Sequence, residues 1–158
     1  MIYGCHTFVP VLKRGGAGHI LNVSSASGLA GLPEMATYNA SKAAVVAISE
    51  TLRTELVRDN IAVTVSCPSA FRSNIGSGLL ARKSTGPVGA SVVAAIDRTK
   101  VTAEDVARYN IRSMERRKLY SVPQLDARLM WCFARWWPEK YSALMTYLFD
   151  KRLWVFST

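Results

Sequence analysis

Cysteine, long apolar runs and acidic residues are all scarce in this sequence, and each scarcity excludes a class of protein. The three cysteines, Cys5, Cys67 and Cys132, are too far apart to form a zinc-binding pair. No apolar run reaches the roughly eighteen residues that a membrane-spanning helix needs, and the first residues lack the basic region and apolar core of a secretory signal. We therefore expect free thiols, no metal site and a cytoplasmic protein.

The shortage of acidic residues leaves a strongly basic chain. It has 20 basic and 11 acidic residues, which give a formal net charge of +9. Such a balance is typical of proteins that meet nucleic acids or anionic membranes. The basic residues form no long run, however, and no aromatic reading platform accompanies them, so we expect no nucleic-acid partner. Hydrophobic residues make up 49% of the chain, which is enough to form the core of a folded domain.

A phosphate-binding glycine loop is also missing. Such a loop follows a strand and opens a helix. The glycines of residues 15–18 instead precede a predicted strand, and no GxGxxG or GxxxGxG spacing follows one. The sequence therefore predicts no cradle for the phosphates of a dinucleotide.

What the first half does contain is a strand–helix–strand pattern. Residues 1–13 predict a mostly buried helix, 19–23 a strand buried on both faces, 34–58 a long helix and 61–66 a second strand. A long crossover between two strands predicts a parallel sheet. The expected apolar stripe of the long helix comprises Ala40, Ala43, Ala44, Ala47, Ile48, Leu52 and Leu56.

The second half predicts a further strand and a helical tail. Residues 73–99 are rich in small residues and predict short helices or a mobile segment. Thr102 and Asp105 have the spacing of a capping box for a helix that ends near Arg117, and 119–122 predict a third strand. We expect an α/β domain over 1–123 and an amphipathic helical extension over 124–158.

The tail contains all four tryptophans of the chain and has two interpretations. It is either a pair of amphipathic helices packed on the body or a helix pair at a membrane surface. Each helix has an apolar stripe: the first comprises Leu125, Leu129, Cys132, Phe133 and Trp136, and the second comprises Tyr141, Leu144, Met145 and Leu148. Trp131 lies off the first stripe, which favours a partner or a bilayer.

Three side chains form a candidate proton-transfer site. Tyr38 and Lys42 are four residues apart, so a helix places both on one face. The ammonium of Lys42 and the positive end of the helix dipole both favour the tyrosinate form. Ser25 follows the first strand and can hold a substrate oxygen by a hydrogen bond. Such a group suits carbonyl reduction or alcohol oxidation with a hydride from a cofactor.

A turn after the second strand adds to this site. Pro68 and Ser69 follow residues 61–66 directly. Ligands of open parallel sheets bind beyond the carboxyl ends of the strands. Ser25, Tyr38 and the turn should therefore converge on one edge of the sheet.

With these motifs, the sequence resembles the short-chain dehydrogenase/reductase family, most closely from Met1 to about Asn74. The resemblance implies a Rossmann-like doubly wound parallel sheet and NAD or NADP as the cofactor. It implies that Ser25 orients the substrate, that Tyr38 is the acid/base, and that Lys42 binds the nicotinamide ribose and lowers the Tyr38 pKa. The same resemblance implies that the cofactor's nicotinamide end is contacted by Pro68, Ser69, Phe71 and Ser73.

The chain also departs from the family pattern. Met1 stands where the family often has a proton-relay asparagine, and Ser69 stands where it commonly has glycine. The glycine-rich cofactor fingerprint and the first four strands are not in this sequence. The chain thus resembles the second half of a family member, and the strand over 19–23 is expected to be an unpaired apolar edge.

Two functions follow from this resemblance. The first is an NAD(P)-dependent oxidoreductase that interconverts a carbonyl and a secondary alcohol, on a hydrophobic or lipid-like substrate. The alternative is a non-catalytic, truncated chain that acts through protein or membrane-surface binding, and so is peripheral at a membrane. In both cases the helix over 34–58 is expected to support a homo-oligomer.

Overall fold

The computed structural model describes residues 1–74 and 87–153, and only the backbone of 87–90. Within these ranges no helix is long and apolar enough to cross a membrane, and no cluster of side chains could hold a metal ion. The predicted small-residue segment 73–99 lies partly outside the described residues. Trp154 also lies outside them. The elements are α1 (Ile2–Arg14), β1 (Gly18–Val23), α2 (Ala36–Glu55), β2 (Ile61–Ser66), α3 (Pro87–Arg98), α4 (Ala103–Glu115), β3 (Tyr120–Ser121), α5 (Leu125–Trp136) and α6 (Pro138–Asp150).

The three strands form one parallel sheet in the order β1-β2-β3. β1 pairs with β2 from Gly18 opposite Ile61 to Val23 opposite Ser66, whereas β3 pairs with only the last two residues of β2. All six residues of β2 are buried. The predicted α/β fold with a Rossmann-like parallel sheet is therefore confirmed, and β1 is the predicted edge strand among the described residues.

The predictions of burial for α1 and β1 were wrong. No residue of α1 is buried, and Ile2, Tyr3 and Phe8 are exposed. Most of β1 is only partly buried, and Val23 at its end is 57% exposed. The reason is that β1 has a strand on one side only, so α1 covers an edge rather than the middle of a sheet.

The long helix is shorter than predicted, and its buried face is different. α2 ends at Glu55, and a 3-10 turn then leads to Asn60, whose left-handed backbone (φ 53°) turns the chain into β2. Val46 and Ser49 are its buried residues, because Val46 packs with Ala26 and Val65 and the Ser49 hydroxyl accepts from the Asn22 side chain of β1 at 3.0 Å. The predicted stripe is wrong in four of its members, which are all exposed: Ala40, Ala43, Ala44 and Ala47.

The capping box is confirmed at the start of α4. The Thr102 hydroxyl accepts from the Asp105 amide at 3.2 Å, and the Asp105 carboxylate accepts from the Thr102 amide at 3.0 Å. Hydrogen bonds from the Thr102 backbone and hydroxyl lower the pKa of Asp105. The predicted third strand is present but has two residues.

The tail forms two helices; most of the first predicted stripe is exposed, whereas Tyr141 of the second is buried. Ala127 is 1% exposed, and Trp131 packs on the core with its ring centre 4.7 Å from that of Tyr120. The stripe residues Leu125 and Trp136 are instead exposed. α5 is apolar on both sides, and the small side chain of Ala127 lets its side of the helix approach Val122 and the core closely.

Candidate functional site

The loop after β1 is tied to both neighbouring elements. The Ser24 amide donates to the Ser66 carbonyl at 2.7 Å, and the Ser24 hydroxyl donates to the Lys42 carbonyl at 2.7 Å. The Ser25 hydroxyl oxygen accepts from the Ser27 amide at 3.2 Å, which starts a 3-10 turn over Ala26–Gly28. These contacts hold Ser25 beyond the carboxyl end of β1 and beside α2.

Gly28 allows this loop to approach α2 closely. A Cβ atom at position 28 would lie 2.7 Å from the carbonyl carbon and oxygen of Lys42 and from the Ser24 hydroxyl. Backbone atoms cannot move aside as a flexible side chain can. A side chain at this position would therefore force the Ser25 loop and the helix that carries Lys42 apart.

Tyr38 and Lys42 lie in the first turns of α2, at the same edge as Ser25. Both side chains are partly buried. The Lys42 Nζ lies 5.7 Å from the centre of the Tyr38 ring and donates to the Val23 carbonyl at 3.5 Å. The Asn39 side-chain Nδ2 donates to the Leu32 carbonyl at 2.7 Å, which attaches the preceding loop to the helix. The phenol, the ammonium and the end of β1 thus meet at one place.

The predicted turn after β2 joins the same edge. The Ala26 amide donates to the Pro68 carbonyl at 2.9 Å, so the two loops are bonded to each other. Phe71 is partly buried. The Ser73 Oγ atom is buried and has no hydrogen-bond partner among the described residues. Buried hydroxyls normally have a partner, so this one is available to a polar group of a ligand.

Two tail residues that were not predicted hold this turn in place. The Gln124 side chain accepts from the Ser69 amide at 3.1 Å and donates to the Ala70 carbonyl at 3.3 Å. Asp126 accepts from the Ser69 hydroxyl at 3.0 Å. Their position just after the third strand, at the carboxyl edge of the sheet, was the only available signal. An open cleft of about 710 Å³ lies beside them, lined by α3, α4 and α5, and it does not include Ser25, Tyr38 or Lys42.

The second tail helix contacts the loop before α2. The hydroxyl of the buried Tyr141 donates to the Gly31 carbonyl at 3.1 Å, and burial raises the pKa of Tyr141. Gly31 lies between Ser25 and Tyr38 in the chain. The tail therefore contacts both loops that border the candidate site.

Cys67 lies close to the site but is unsuited to nucleophilic chemistry. It is fully buried, and burial raises the pKa of its thiol to about 12. A nucleophilic cysteine needs a thiolate, which is absent at neutral pH with such a pKa. The thiol therefore serves as a small core side chain.

Comparison with known proteins identifies the family. The sequence model of the short chain dehydrogenases matches residues 1–84, which are more than half of the chain. The chain belongs to the short-chain dehydrogenase family. The match contains Ser25, Tyr38, Lys42 and the turn at Pro68.

Named relatives of the short-chain dehydrogenase family agree with this membership. An "Uncharacterized oxidoreductase" of Thermotoga maritima is 38% identical over 79 residues, which are 50% of this chain and 30% of that protein. An "11-beta-hydroxysteroid dehydrogenase-like 4A" of Arabidopsis thaliana is 33% identical over 108 residues, 68% of this chain and 36% of that one.

The solved structures of the family share the fold. A short-chain dehydrogenase/reductase from Burkholderia phymatum in complex with NAD has a TM-score of 0.75 and 25% identity, over 85% of this chain and 53% of that one. Other similar family structures are complexes with NADPH or NADP. The chain spans about a third to a half of the length of these relatives.

The residues present fit one end of a nicotinamide cofactor. The Lys42 ammonium lies beside the end of β1, at the carboxyl edge of the sheet, where the nicotinamide ribose would be held. Ser73, seven residues after β2, has a hydroxyl with no hydrogen-bond partner among the described residues. The described residues form no cradle for the phosphates, since the loop of residues 15–18 leads into β1 rather than out of a strand. The fit is therefore to the nicotinamide end alone.

Proposed function

We propose that this chain carries the proton-transfer part of an NAD(P)-dependent oxidoreductase that interconverts a carbonyl and a secondary alcohol. The observation that supports the proposal most is the arrangement of Ser25, Tyr38 and Lys42 at one edge of a parallel sheet, in a chain of the short-chain dehydrogenase family. When bound, the cofactor supplies or accepts the hydride.

Each of the three side chains has a separate role in this proposal. The Ser25 hydroxyl donates a hydrogen bond to the substrate oxygen and so orients it. The Tyr38 hydroxyl gives its proton to that oxygen in reduction and takes it back in oxidation. The Lys42 ammonium binds the ribose hydroxyls, and its charge stabilises the phenolate left when the proton has moved.

The backbone contacts support the positioning that this chemistry needs. The Ser25 loop is bonded to the Pro68 turn, and Gly28 and Ser24 pack against the backbone at Lys42. Reacting groups must be held within a fraction of an ångström to act together. Pro68, Ser69, Phe71 and Ser73 would then border the nicotinamide.

We propose a hydrophobic, lipid-like substrate. The exposed apolar residues of the tail lie on helices that contact the loops around the site. The name of the Arabidopsis relative, which refers to a hydroxysteroid dehydrogenase, is in line with such a substrate.

The central experiment substitutes the proposed acid/base. With NAD(P)H raised to saturation, because the chain alone is expected to bind it weakly, we expect Tyr38→Phe to lower the rate of reduction of hydrophobic ketones by about 10²–10⁴-fold. Tyr147→Phe is the matched control, because Tyr147 is 55% exposed on α6. Full turnover by Tyr38→Phe would contradict the assigned role.

We further propose that the chain on its own binds NAD(P)H weakly. Most of the dinucleotide's polar contacts would have to come from a phosphate cradle, which the described residues do not form. Isothermal titration of the chain with NADH and NADPH tests this. Micromolar binding to the isolated chain would show that the nicotinamide end alone is sufficient.

The open edge of the sheet favours partner binding as a second candidate function. β1 has no neighbour on its outer side among the described residues, and α1 beside it exposes Ile2, Tyr3 and Phe8. Such an edge can accept a further strand from another chain. A complex that forms without NAD(P)H binding, and that Val23→Lys abolishes, would favour this function over catalysis.

Self-association through α2 is a related proposal. Its exposed side is flat because Ala40, Ala43, Ala44 and Ala47 carry only methyl groups, and flat helices can pack closely on a second copy. Analytical ultracentrifugation should show a homo-oligomer that Ala43→Glu dissociates. An oligomer that Ala43→Glu leaves intact would place the contact elsewhere.

A further inference from the structure

The outer side of α5 carries an apolar stripe that does not belong to the core. Leu125, Leu129, Cys132 and Trp136, here called the α5 stripe, recur every three or four residues and so project from one side of the helix. Leu125, Leu129 and Trp136 are 65%, 63% and 74% exposed, and Cys132 is exposed as well. The opposite side of the helix, with Ala127 and Trp131, packs on the core.

Exposed aromatic residues accompany this stripe in the tail. Trp137 follows Trp136 directly, and α6 also exposes Tyr147 and Phe149. Tryptophan and tyrosine are amphipathic and are enriched where acyl chains meet lipid headgroups. The α5 stripe thus has the composition of a helix that lies in a membrane interface.

The charges around the stripe suit an anionic surface. Arg135 and Lys140 are exposed on either side of the Trp136–Trp137 pair, and neither forms an ion pair with a described residue. No carboxylate lies within the stripe, and the neighbouring Asp126 is hydrogen-bonded to the Ser69 hydroxyl. Glu139 and Asp150 are the acidic residues of α6. With a net charge of +9, the whole chain is attracted to anionic lipid.

We propose that the α5 stripe docks on the surface of a bilayer that contains anionic lipids. Leu125, Leu129 and Trp136 enter the boundary between headgroups and acyl chains, while Arg135 and Lys140 reach the headgroup phosphates with their apolar stems along the surface. The proposal does not depend on the oxidoreductase function, so the inactive Tyr38→Phe chain should bind vesicles as the unchanged chain does.

Co-sedimentation with lipid vesicles tests the proposal. The full chain should bind vesicles of phosphatidylcholine and phosphatidylserine more tightly than vesicles of phosphatidylcholine alone, and added salt should weaken the difference. The double variant Leu129→Glu, Trp136→Glu should bind about 100-fold more weakly, because two large apolar side chains no longer leave water. Val57→Glu is the matched control: Val57 is 68% exposed on the turn between α2 and β2, and its variant should bind normally.

A fluorescent label on Cys132 gives a second measurement that does not need a variant of the stripe. Cys67 is buried, so in a Cys5→Ser chain an environment-sensitive dye should react at Cys132. We expect its emission to shift to shorter wavelength when anionic vesicles are added. Vesicle binding that the double variant retains would overturn the proposal. A second result would also overturn it: the unchanged chain binds no vesicles but forms a dimer, and the double variant dissociates that dimer. The stripe would then contact a second copy of the chain.

Discussion

The two sides of β2 are covered to very different extents. On the β3 side, the first tail helix, α5, completes a core in which Val65, Val122 and Ala127 are almost wholly excluded from water. On the β1 side, α1 has no buried residue and Val23 is exposed. Both sides have similarly apolar sequences, so apolar composition alone did not decide which one is buried. The difference lies in what is stacked beyond each strand.

The site lies where these two sides meet. Ser25 comes from the end of the open strand β1, whereas the Pro68 turn comes from the buried strand β2 and is held by Gln124 of the tail. The covered side can therefore position its half of the site rigidly. The open side depends on the contacts of Gly28 and Ser24 with α2.

The largest expected difference is between two valines on neighbouring strands. Val65 of β2 is 0% exposed and packs in the core with Val122 and Ala127, so Val65→Ala should lower the free energy of unfolding by about 2 kcal/mol. Val23→Ala at the exposed end of β1 should change it by less than about 0.5 kcal/mol. Urea denaturation of both variants measures this. Equal losses would mean that the β1 side is covered in solution.

A pair of glycines tests whether the open side is nevertheless tightly packed at the site. Gly28→Ala should lower the free energy of unfolding by about 1–3 kcal/mol, because its Cβ would overlap the backbone at Lys42. Gly4→Ala on α1 is the control, since nothing lies within 4 Å of the added Cβ. It should stabilise the helix by up to about 1 kcal/mol. Two changes of the same sign in thermal or urea unfolding would refute the close approach at Gly28.

A smaller effect is expected from the tail's contact with the loop before α2. Tyr141→Phe should lower the free energy of unfolding by about 1 kcal/mol, because the Gly31 carbonyl loses its donor. The exposed Tyr147 provides the control, and Tyr147→Phe should have almost no effect. Amide hydrogen exchange should also become faster in residues 29–33 of the Tyr141 variant alone. Unchanged exchange there would show that the tail does not restrain this loop.

The smallest expected effect is on the pH dependence of stability, through a side-chain hydrogen bond between β1 and β2. The Thr64 hydroxyl donates to the Lys118 carbonyl at 2.6 Å, so the His19 Nε2, 2.8 Å away, must be the donor in its bond to Thr64. Burial and the charges of Arg117 and Arg53 lower the pKa of His19 from 6.5. The unfolded chain therefore binds a proton more readily, and stability should fall as pH drops through 6.5 towards the folded-state pKa. His19→Gln should flatten this part of a stability–pH curve, and an unchanged slope would mean that His19 does not cause it.

The sequence predicted those features that depend on local spacing. Thr102 and Asp105 predicted their capping box correctly, because both groups lie within one helical turn. The order strand, helix, strand predicted the parallel pairing of β1 with β2, because a crossover of that length allows it. Tyr38 and Lys42 share a face because a helix brings residues four apart together.

Features that depend on contacts between distant segments could not be predicted in this way. α1 was expected to be mostly buried and the stripe of α2 to face the core, yet Phe8 and Ala43 are exposed. For the tail, periodicity left two interpretations open, and the exposed Leu129 shows that the first stripe does not pack on the body. Periodicity shows which residues share a side of a helix but not what that side meets. The hydrogen bonds of Gln124 and Tyr141 were missed for the same reason, since their partners lie 55 and 110 residues away.

The sequence alone determined the family and placed Tyr38 and Lys42 on one side of a helix, because such short spacings follow directly from covalent geometry and the helical repeat. Only the tertiary structure decided which apolar surfaces are buried, because burial depends on the stacking of elements far apart in the chain. It also decided that the tail holds the Pro68 turn and the loop before α2. The same packing leaves the α5 stripe facing outward.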